Sequence, residues 1–170
     1  MNIVIRRIET PTPALADFLQ AHHADMEDTA PAESRHALPF ERLLAPGVRL
    51  FAGFLDARPV VTGALAGLDD GHEELKSMRT DPAQRGQGLA RSMLVFLLAD
   101  AEERGIRRLS LETGSMEFFA PARALYASAG FSECPAFGSY RPDPLSTFMT
   151  RTLPDAADAA TVAAVDARTR

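Results

Sequence analysis

The sequence is poor in cysteine and has no long apolar run. Cys134 is the single cysteine among 170 residues, so the chain cannot form an internal disulfide. This fits a reducing compartment, and we expect a cytoplasmic protein. No apolar run approaches the ~18 residues that a membrane-spanning helix requires. The opening segment MNIVIRRIET predicts a strand rather than a signal peptide. We therefore expect no membrane partner.

Metal and nucleic-acid ligands are also disfavoured. The four histidines are His22, His23, His36 and His72, and they form no Cys/His cluster of the kind that holds a metal ion. The formal net charge of −5 argues against nonspecific nucleic-acid binding, which needs a basic face. A local basic patch can still bind one small anion.

Lysine is nearly absent too, since Lys76 is the only lysine among 18 basic residues. An ammonium is a compact charge with three donors, whereas a guanidinium is a planar fork. A site that requires the compact ammonium would explain the exception. Chance retention explains it as well, and the sequence leaves both interpretations open.

Hydrophobic periodicity predicts one α/β domain over residues 1–153 with the order β-α-α-β-β-β-α-β-α-β-β. The second helix is predicted to be short and to lie in SRHALPFERLLA. The three strands that follow are predicted to form an antiparallel meander that ends with HEELKSMRT, and a later strand is predicted in FSECPAF. A long helix follows the meander, with one apolar stripe: Leu89, Met93, Leu94, Leu97, Leu98 and Ala101. Residues 154–170 contain few large apolar side chains, so we expect a frayed or disordered tail.

The turn QRGQGLAR, between the meander and the long helix, has the properties of an anion site. Gly86 and Gly88 allow a close approach to bare backbone that a Cβ would prevent. The first N–H groups of the following helix lack intrahelical partners and lie at the positive end of its dipole. Arg85 and Arg91 add positive charge. A phosphate group of a ligand is the predicted occupant, and a plain turn with solvated arginines is the alternative.

Two familiar phosphate motifs fit this turn poorly. A P-loop is excluded because no Gly-Lys-Ser/Thr follows. A Rossmann turn is a closer rival, because Gly86 and Gly88 supply Gly-x-Gly and Glu112 ends the next strand. However, Arg91 occupies the position of the third glycine, and the preceding strand belongs to an antiparallel meander.

The turn resembles the Arg/Gln-x-x-Gly-x-Gly/Ala signature of the GNAT superfamily, the Gcn5-related N-acetyltransferases, at Arg85, Gly88 and Ala90. The whole segment ELKSMRTDPAQRGQGLARSML is similar to the acetyl-CoA segment of that family. ARALYASAGF is similar to its C-terminal segment, with Tyr126 in place. The phrases ELKSMRT, LETGS and SRHAL resemble a small bacterial subgroup of unassigned substrate.

The resemblance implies a mixed, mostly antiparallel central sheet with a V-shaped splay between two parallel strands and helices on both faces. It also implies acetyl-CoA as the acetyl donor, with a backbone bulge near Met78 that aims an N–H at the thioester. Where the family often has Asn, this chain has Phe119. The implied cofactor-binding residues are Met78, Arg79, Thr80, Arg85, Gly86, Gln87, Gly88, Leu89, Ala90, Arg91 and Phe119.

The implied chemistry is direct attack of an amine on the thioester, which needs a proton acceptor and a proton donor. Glu73, Glu74 and Glu112 are the candidate acceptors, and for Glu74 a surface or salt-bridging role is the alternative. By its position in the family motif, Tyr126 is the candidate donor to the leaving thiolate. Strand alternation predicts that Glu74 shares a face with Lys76 and Met78.

The predicted function is transfer of an acetyl group to a primary amine of a small molecule or peptide. His36, Lys76 and Tyr140 are the candidate substrate-binding residues. Because several residues on that side are basic, we expect an acceptor that bears a carboxylate. An acyl-CoA-binding sensor without turnover is the alternative function. Self-association into a homodimer is left open.

Overall fold

The computed structural model describes residues 3–27 and 40–154. His36 and the predicted tail beyond residue 154 lie outside the described residues. Seven strands and four helices are described: β1 Val4–Ile8, α1 Pro13–Glu27, α2 Phe40–Leu43, β2 Val48–Leu55, β3 Arg58–Asp69, β4 His72–Thr80, α3 Leu89–Glu103, β5 Arg108–Gly114, α4 Ala120–Ser128, β6 Ser132–Glu133 and β7 Ser146–Thr152. The predicted element order is confirmed.

All seven strands form one sheet in the order β1-β2-β3-β4-β5-β7-β6. Every neighbouring pair is antiparallel except β4 and β5. The hairpin between β2 and β3 turns on Asp56 (φ 46°) and Ala57 (φ 67°). Two left-handed residues in succession match the right-handed twist of the flanking strands.

The parallel pair β4–β5 is joined for only part of its length. His72 pairs with Arg108, Glu73 with Leu109 and Glu74 with Ser110. Beyond these residues β4 continues against β3 to Thr80, and β5 continues against β7 to Gly114. The two strands therefore separate and leave a V-shaped opening in the middle of the sheet, as predicted.

Helices cover both faces of the sheet. Leu15 and Leu19 of α1 and Leu43 of α2 are buried against one face. On the other face, α3 and α4 pack through a larger core. All six residues of the apolar stripe predicted for α3 are buried there: Leu89, Met93, Leu94, Leu97, Leu98 and Ala101. This arrangement confirms the predicted fold class. No described helix is long and apolar enough to cross a membrane.

One predicted element is shorter than expected, and another is described only in part. The strand predicted in FSECPAF is limited to Ser132 and Glu133, because Pro135 follows closely and cannot donate to a ladder. Of the helix predicted in SRHALPFERLLA, the described part is Phe40–Leu43.

Close packing between β3 and α3 makes Gly63 sensitive to substitution. A Cβ at Gly63 would lie 2.7 Å from Leu97 Cδ1 and 2.9 Å from Met78 Sδ. We expect Gly63→Ala to cost about 1–3 kcal/mol of unfolding free energy through overpacking. Thermal unfolding would measure this, with Gly67→Ala in the same strand as the control, since the nearest atom to its added Cβ is 3.9 Å away. Equal melting temperatures for the two variants would contradict the packing described here.

Candidate active site

A β-bulge interrupts β4 where the V begins to open. Ala64 of β3 lies opposite Lys76 and Thr62 lies opposite Arg79, so β4 carries one extra residue. Ser77 within the bulge has a φ of 53°, a conformation that costs a non-glycine residue about 1–2 kcal/mol. The Thr62 hydroxyl donates to the Ser77 carbonyl at 3.0 Å and holds the bulge in place. The bulge therefore lies at the position implied by the family resemblance.

The bulge reverses the faces of the residues that follow it. Met78 packs against the α3 core, whereas Lys76 extends from the opposite face. The prediction that Glu74, Lys76 and Met78 share a face is wrong, because the extra residue breaks the alternation. Arg79 now points towards α1, where its guanidinium lies 5.0 Å from the ring centroid of Phe18.

The chain leaves β4 through a turn that is fixed by Asp81. The buried Asp81 carboxylate accepts hydrogen bonds from Ala83 N–H at 2.9 Å and from Arg58 Nη2 at 2.8 Å. Its own N–H donates to the Val60 carbonyl at 2.8 Å. These bonds tie the start of the turn to β3 and so set the direction in which the glycines leave the sheet.

The glycine turn itself is open to solvent and shaped as an anion site. Gly86 and Gly88 have φ values of 77° and 78°, and no atom lies within 4 Å of the place where a Cβ would stand on either. Gly88 is the N-cap of α3 and makes no side-chain capping bond. The first amides of α3 lack intrahelical partners and lie at the positive end of the helix dipole. These features fit the diphosphate of an acyl-CoA.

Polar side chains surround this turn. Arg85 and Gln87 are exposed, and the Gln87 amide donates to Gln84 Oε1 at 3.0 Å. Arg91 in the first turn of α3 donates through Nη2 to Ser128 Oγ at 3.2 Å. The turn thus carries cationic side chains as well as amides, and Leu89 anchors the start of the helix in the core.

Tyr126 of α4 is the candidate proton donor, and its side chain is buried. Its side chain is packed edge-on against Phe131, with ring centroids 6.0 Å apart. Burial, and to a smaller extent the negative charge of Glu112, raises the pKa of the Tyr126 phenol well above its ordinary value. The hydroxyl therefore keeps its proton at neutral pH.

Two contacts fix α4 relative to the end of β5. Arg123 donates through Nη1 to the carbonyls of Gly114 at 2.7 Å and Met116 at 2.9 Å. The ring of Phe119 lies directly over Gly114, so closely that no Cβ could be added there. Phe119 therefore borders the end of β5 beside the V. Neither the Arg123 contact nor the role of Gly114 was predicted, because both depend on how the helix crosses the strand.

The three candidate carboxylates lie in different surroundings. Glu73 faces α3 and forms a bidentate pair with Arg104 at 2.6 and 2.7 Å, so it is directed away from the V. Glu112 lies on the separated part of β5 and accepts from Ser146 Oγ at 2.6 Å. Its negative charge contributes to the raised pKa of Tyr126.

Glu74 is held in a closed network with Lys76 and Tyr140. Lys76 Nζ donates to Glu74 Oε1 at 2.7 Å and to the Tyr140 hydroxyl at 2.6 Å. The Tyr140 hydroxyl in turn donates to Glu74 Oε1 at 2.5 Å. All three residues were predicted from the sequence to be functional, Glu74 as a proton acceptor and Lys76 and Tyr140 as substrate ligands. Their mutual pairing was not predicted.

Among the described residues, no group of three or more His, Cys, Asp or Glu side chains could hold a metal ion.

Comparison with known proteins shows the family to which the chain belongs. Residues 15–131 match the Acetyltransferase (GNAT) family. This chain belongs to that family. The uncharacterized N-acetyltransferase YsnE of Bacillus subtilis is 42% identical over 139 residues, which cover 82% of this chain and 92% of YsnE. IAA acetyltransferase of Azospirillum brasilense is 33% identical over 153 residues, covering 89% of this chain and 99% of that protein.

A solved structure supports the same assignment. A Klebsiella pneumoniae protein, described as a candidate acyl-CoA N-acyltransferase, superimposes with a TM-score of 0.72 at 31% identity. The match covers 89% of this chain and 98% of that protein. The chain is therefore an N-acetyltransferase of the GNAT type, an enzyme that transfers an acyl group and uses an acyl-CoA donor.

Proposed function

We propose that this GNAT enzyme transfers the acetyl group of acetyl-CoA to a primary amine by direct attack on the thioester, in a domain spanning residues 1–153. The observation that supports the proposal is a bulge at Ser77 in β4, close to where β4 separates from β5, followed directly by the glycine turn. The buried phenol of Tyr126, on which the charge of Glu112 in β5 acts, adds a group that can hold a proton.

Different parts of the chain bind different parts of the donor. At Met78, Arg79 and Thr80, β5 has already separated from β4. The main chain of these residues can therefore form hydrogen bonds with the pantetheine arm, which takes the place of an added strand. The amides from Arg85 to Ala90 bind the diphosphate, with Arg91 adding charge. Phe119 borders the arm on the side of β5.

The reaction forms an N–C bond, breaks a C–S bond and moves one proton from the amine to the sulfur. The thioester supplies an activated acetyl carbon. The Met78 N–H, directed by the bulge, stabilises negative charge on the carbonyl oxygen. The Tyr126 hydroxyl holds a proton for the departing sulfur. Most primary amines are protonated at neutral pH, so Glu112, directly or through water, first accepts one proton from the ammonium and passes it to solvent. The second proton, which the nitrogen loses after the N–C bond has formed, balances the proton that Tyr126 gives to the sulfur.

The basic experiment is thiol release from acetyl-CoA with three amines, glycine, alanyl-alanine and putrescine, with mass spectrometry of the products. We expect at least one amine to gain a single acetyl group at a rate that saturates with both substrates. Binding of acetyl-CoA without acetylation of any amine would instead support the alternative function, an acyl-CoA-binding sensor without turnover. Membership of the family does not favour that alternative.

The acceptor side favours an amine that also carries a carboxylate. The charge of Lys76 is paired with Glu74, and the bulge directs the Arg79 guanidinium to the same face, beside Phe18. A guanidinium on this face offers a planar fork of donors that matches the geometry of a carboxylate. This refines the acidic-acceptor hypothesis, because it transfers the role from Lys76 to Arg79.

A matched pair of probes tests this role for Arg79. We expect Arg79→Met to raise the KM for alanyl-alanine about tenfold, the loss of one charge-assisted contact. The KM for alanyl-alaninamide, which lacks only the carboxylate, should change little. A wild-type preference for putrescine, or an equal effect on both dipeptides, would contradict a carboxylate-binding role.

A further inference from the structure

The Glu74–Lys76–Tyr140 network joins two segments that are far apart in sequence. Glu74 and Lys76 lie on β4, and Tyr140 lies in the connection between β6 and β7, which we call the β6–β7 segment (residues 134–145). The Glu74 and Lys76 side chains are only 8% and 10% exposed. The contact is therefore part of the packed interior and not a surface ion pair, which would contribute little.

The β6–β7 segment is bonded through its backbone near its two ends. Cys134 N–H donates to the Phe148 carbonyl at 2.9 Å, and Ser115 N–H donates to the Leu145 carbonyl at 2.9 Å. Between these ends, Tyr140 reaches the sheet through its hydroxyl and packs its ring 5.2 Å from Phe137 and 5.5 Å from Phe148. A segment without regular structure depends on such side-chain anchors to keep one conformation.

Glu74 Oε1 is already engaged by both partners, the Lys76 ammonium and the Tyr140 hydroxyl. An incoming amine would have to compete with two short hydrogen bonds at the same oxygen. Burial and the charge of Glu74 raise the pKa of Tyr140 above its ordinary value, so the phenol keeps the proton that it donates. A carboxylate in these surroundings is equipped to hold its neighbours in place.

We propose that Glu74 is a positioning residue, which through Lys76 and Tyr140 fixes the β6–β7 segment as a wall of the acceptor site, and that it is not the proton acceptor. This inference rests on the proposed transferase function. It also accounts for the single lysine of the chain. The Lys76 ammonium lies between a carboxylate and a phenol that are themselves bonded, a space that suits a compact charge better than a planar guanidinium.

Hydrogen–deuterium exchange and kinetics on the full chain test the proposal together. We expect Glu74→Gln and Tyr140→Phe to increase exchange across residues 134–145 by about tenfold, the loss of one charge-assisted anchor. The control is Glu73→Gln, which breaks the ion pair of a similarly buried carboxylate on the adjacent residue, one that faces α3. It should leave exchange in this segment unchanged.

The kinetic part uses whichever of glycine, alanyl-alanine and putrescine reacts fastest. Both variants should raise the KM for this amine by a similar factor of about ten, while kcat and the KM for acetyl-CoA change little. Lys76→Arg should behave in the same way, because a guanidinium keeps the charge but not the fit.

Two results would overturn the proposal. A fall in kcat of about 100-fold or more in Glu74→Gln alone, with loss of the acidic limb of the pH–rate profile, would make Glu74 the proton acceptor. Unchanged exchange in both Glu74→Gln and Tyr140→Phe would show that the network does not fix the segment. If the wild-type chain acetylates none of the amines, the proposed function fails, and the exchange comparison still decides whether the network positions the segment.

Discussion

Replacement of Tyr126 by phenylalanine is expected to lower kcat by about 100-fold or more, the usual contribution of a positioned general acid. The ring is buried and packed against Phe131, so phenylalanine keeps the packing and removes only the hydroxyl. The Kd for acetyl-CoA should therefore be nearly unchanged. Steady-state kinetics with calorimetry on the same preparation measure both quantities.

The chain provides its own control, because Tyr126 and Tyr140 are its only two tyrosines. Tyr140→Phe removes the hydroxyl of the second tyrosine. It should change the KM for the amine and leave kcat unchanged. Burial raises the pKa of Tyr126. The phenol therefore stays protonated at pH values up to and beyond ~10, the ordinary pKa of tyrosine. An unchanged kcat in Tyr126→Phe would exclude the phenol as the proton donor.

Substitution of Gly88 by glutamate is expected to weaken acetyl-CoA binding by at least about 100-fold, because it places a like charge and a side chain against the diphosphate. The strain of a side chain at a φ of 78° adds about 1 kcal/mol to the cost in stability. Calorimetric titration with acetyl-CoA measures the affinity, and thermal unfolding measures the stability separately.

Gly105 offers a matched control at the other end of α3. Its φ is 75° and, as at Gly88, no atom lies within 4 Å of the point that an added Cβ would occupy. Gly105→Glu should cause a similar or slightly larger loss of stability, since a negative charge is unfavourable at a helix C-terminus. It should leave the affinity for acetyl-CoA intact. Equal affinities in the two variants would remove the glycine turn from the binding site.

The regular elements near the glycine turn could be predicted because their signals are local. The apolar stripe of α3, from Leu89 to Ala101, is fixed by helical period, and every stripe residue is buried. The two strands of the V could be located because HEELKSMRT and IRRLSLET each show strand patterns. Even the bulge near Met78 followed from the family resemblance. These features need no knowledge of which segments meet in space.

The contacts that decide side-chain roles could not be predicted in the same way. A single residue with positive φ, Ser77, moves Met78 and Arg79 to the opposite faces, and no period in the sequence signals it. The pairing of Lys76 with Tyr140 spans 64 positions and depends on the path of an irregular segment. The positive charge of Lys76, which was predicted to bind substrate, is instead paired with Glu74 in the fold.

The most direct test of the account is an amide NMR titration that compares acetyl-CoA with S-acetylpantetheine, which lacks the diphosphate. If backbone amides bind the diphosphate, the resonances of residues 85–90 should shift with acetyl-CoA alone, while those of Met78 to Thr80 should shift with both ligands. Saturating acetyl-CoA that leaves the amides of residues 85–90 unmoved would contradict the account.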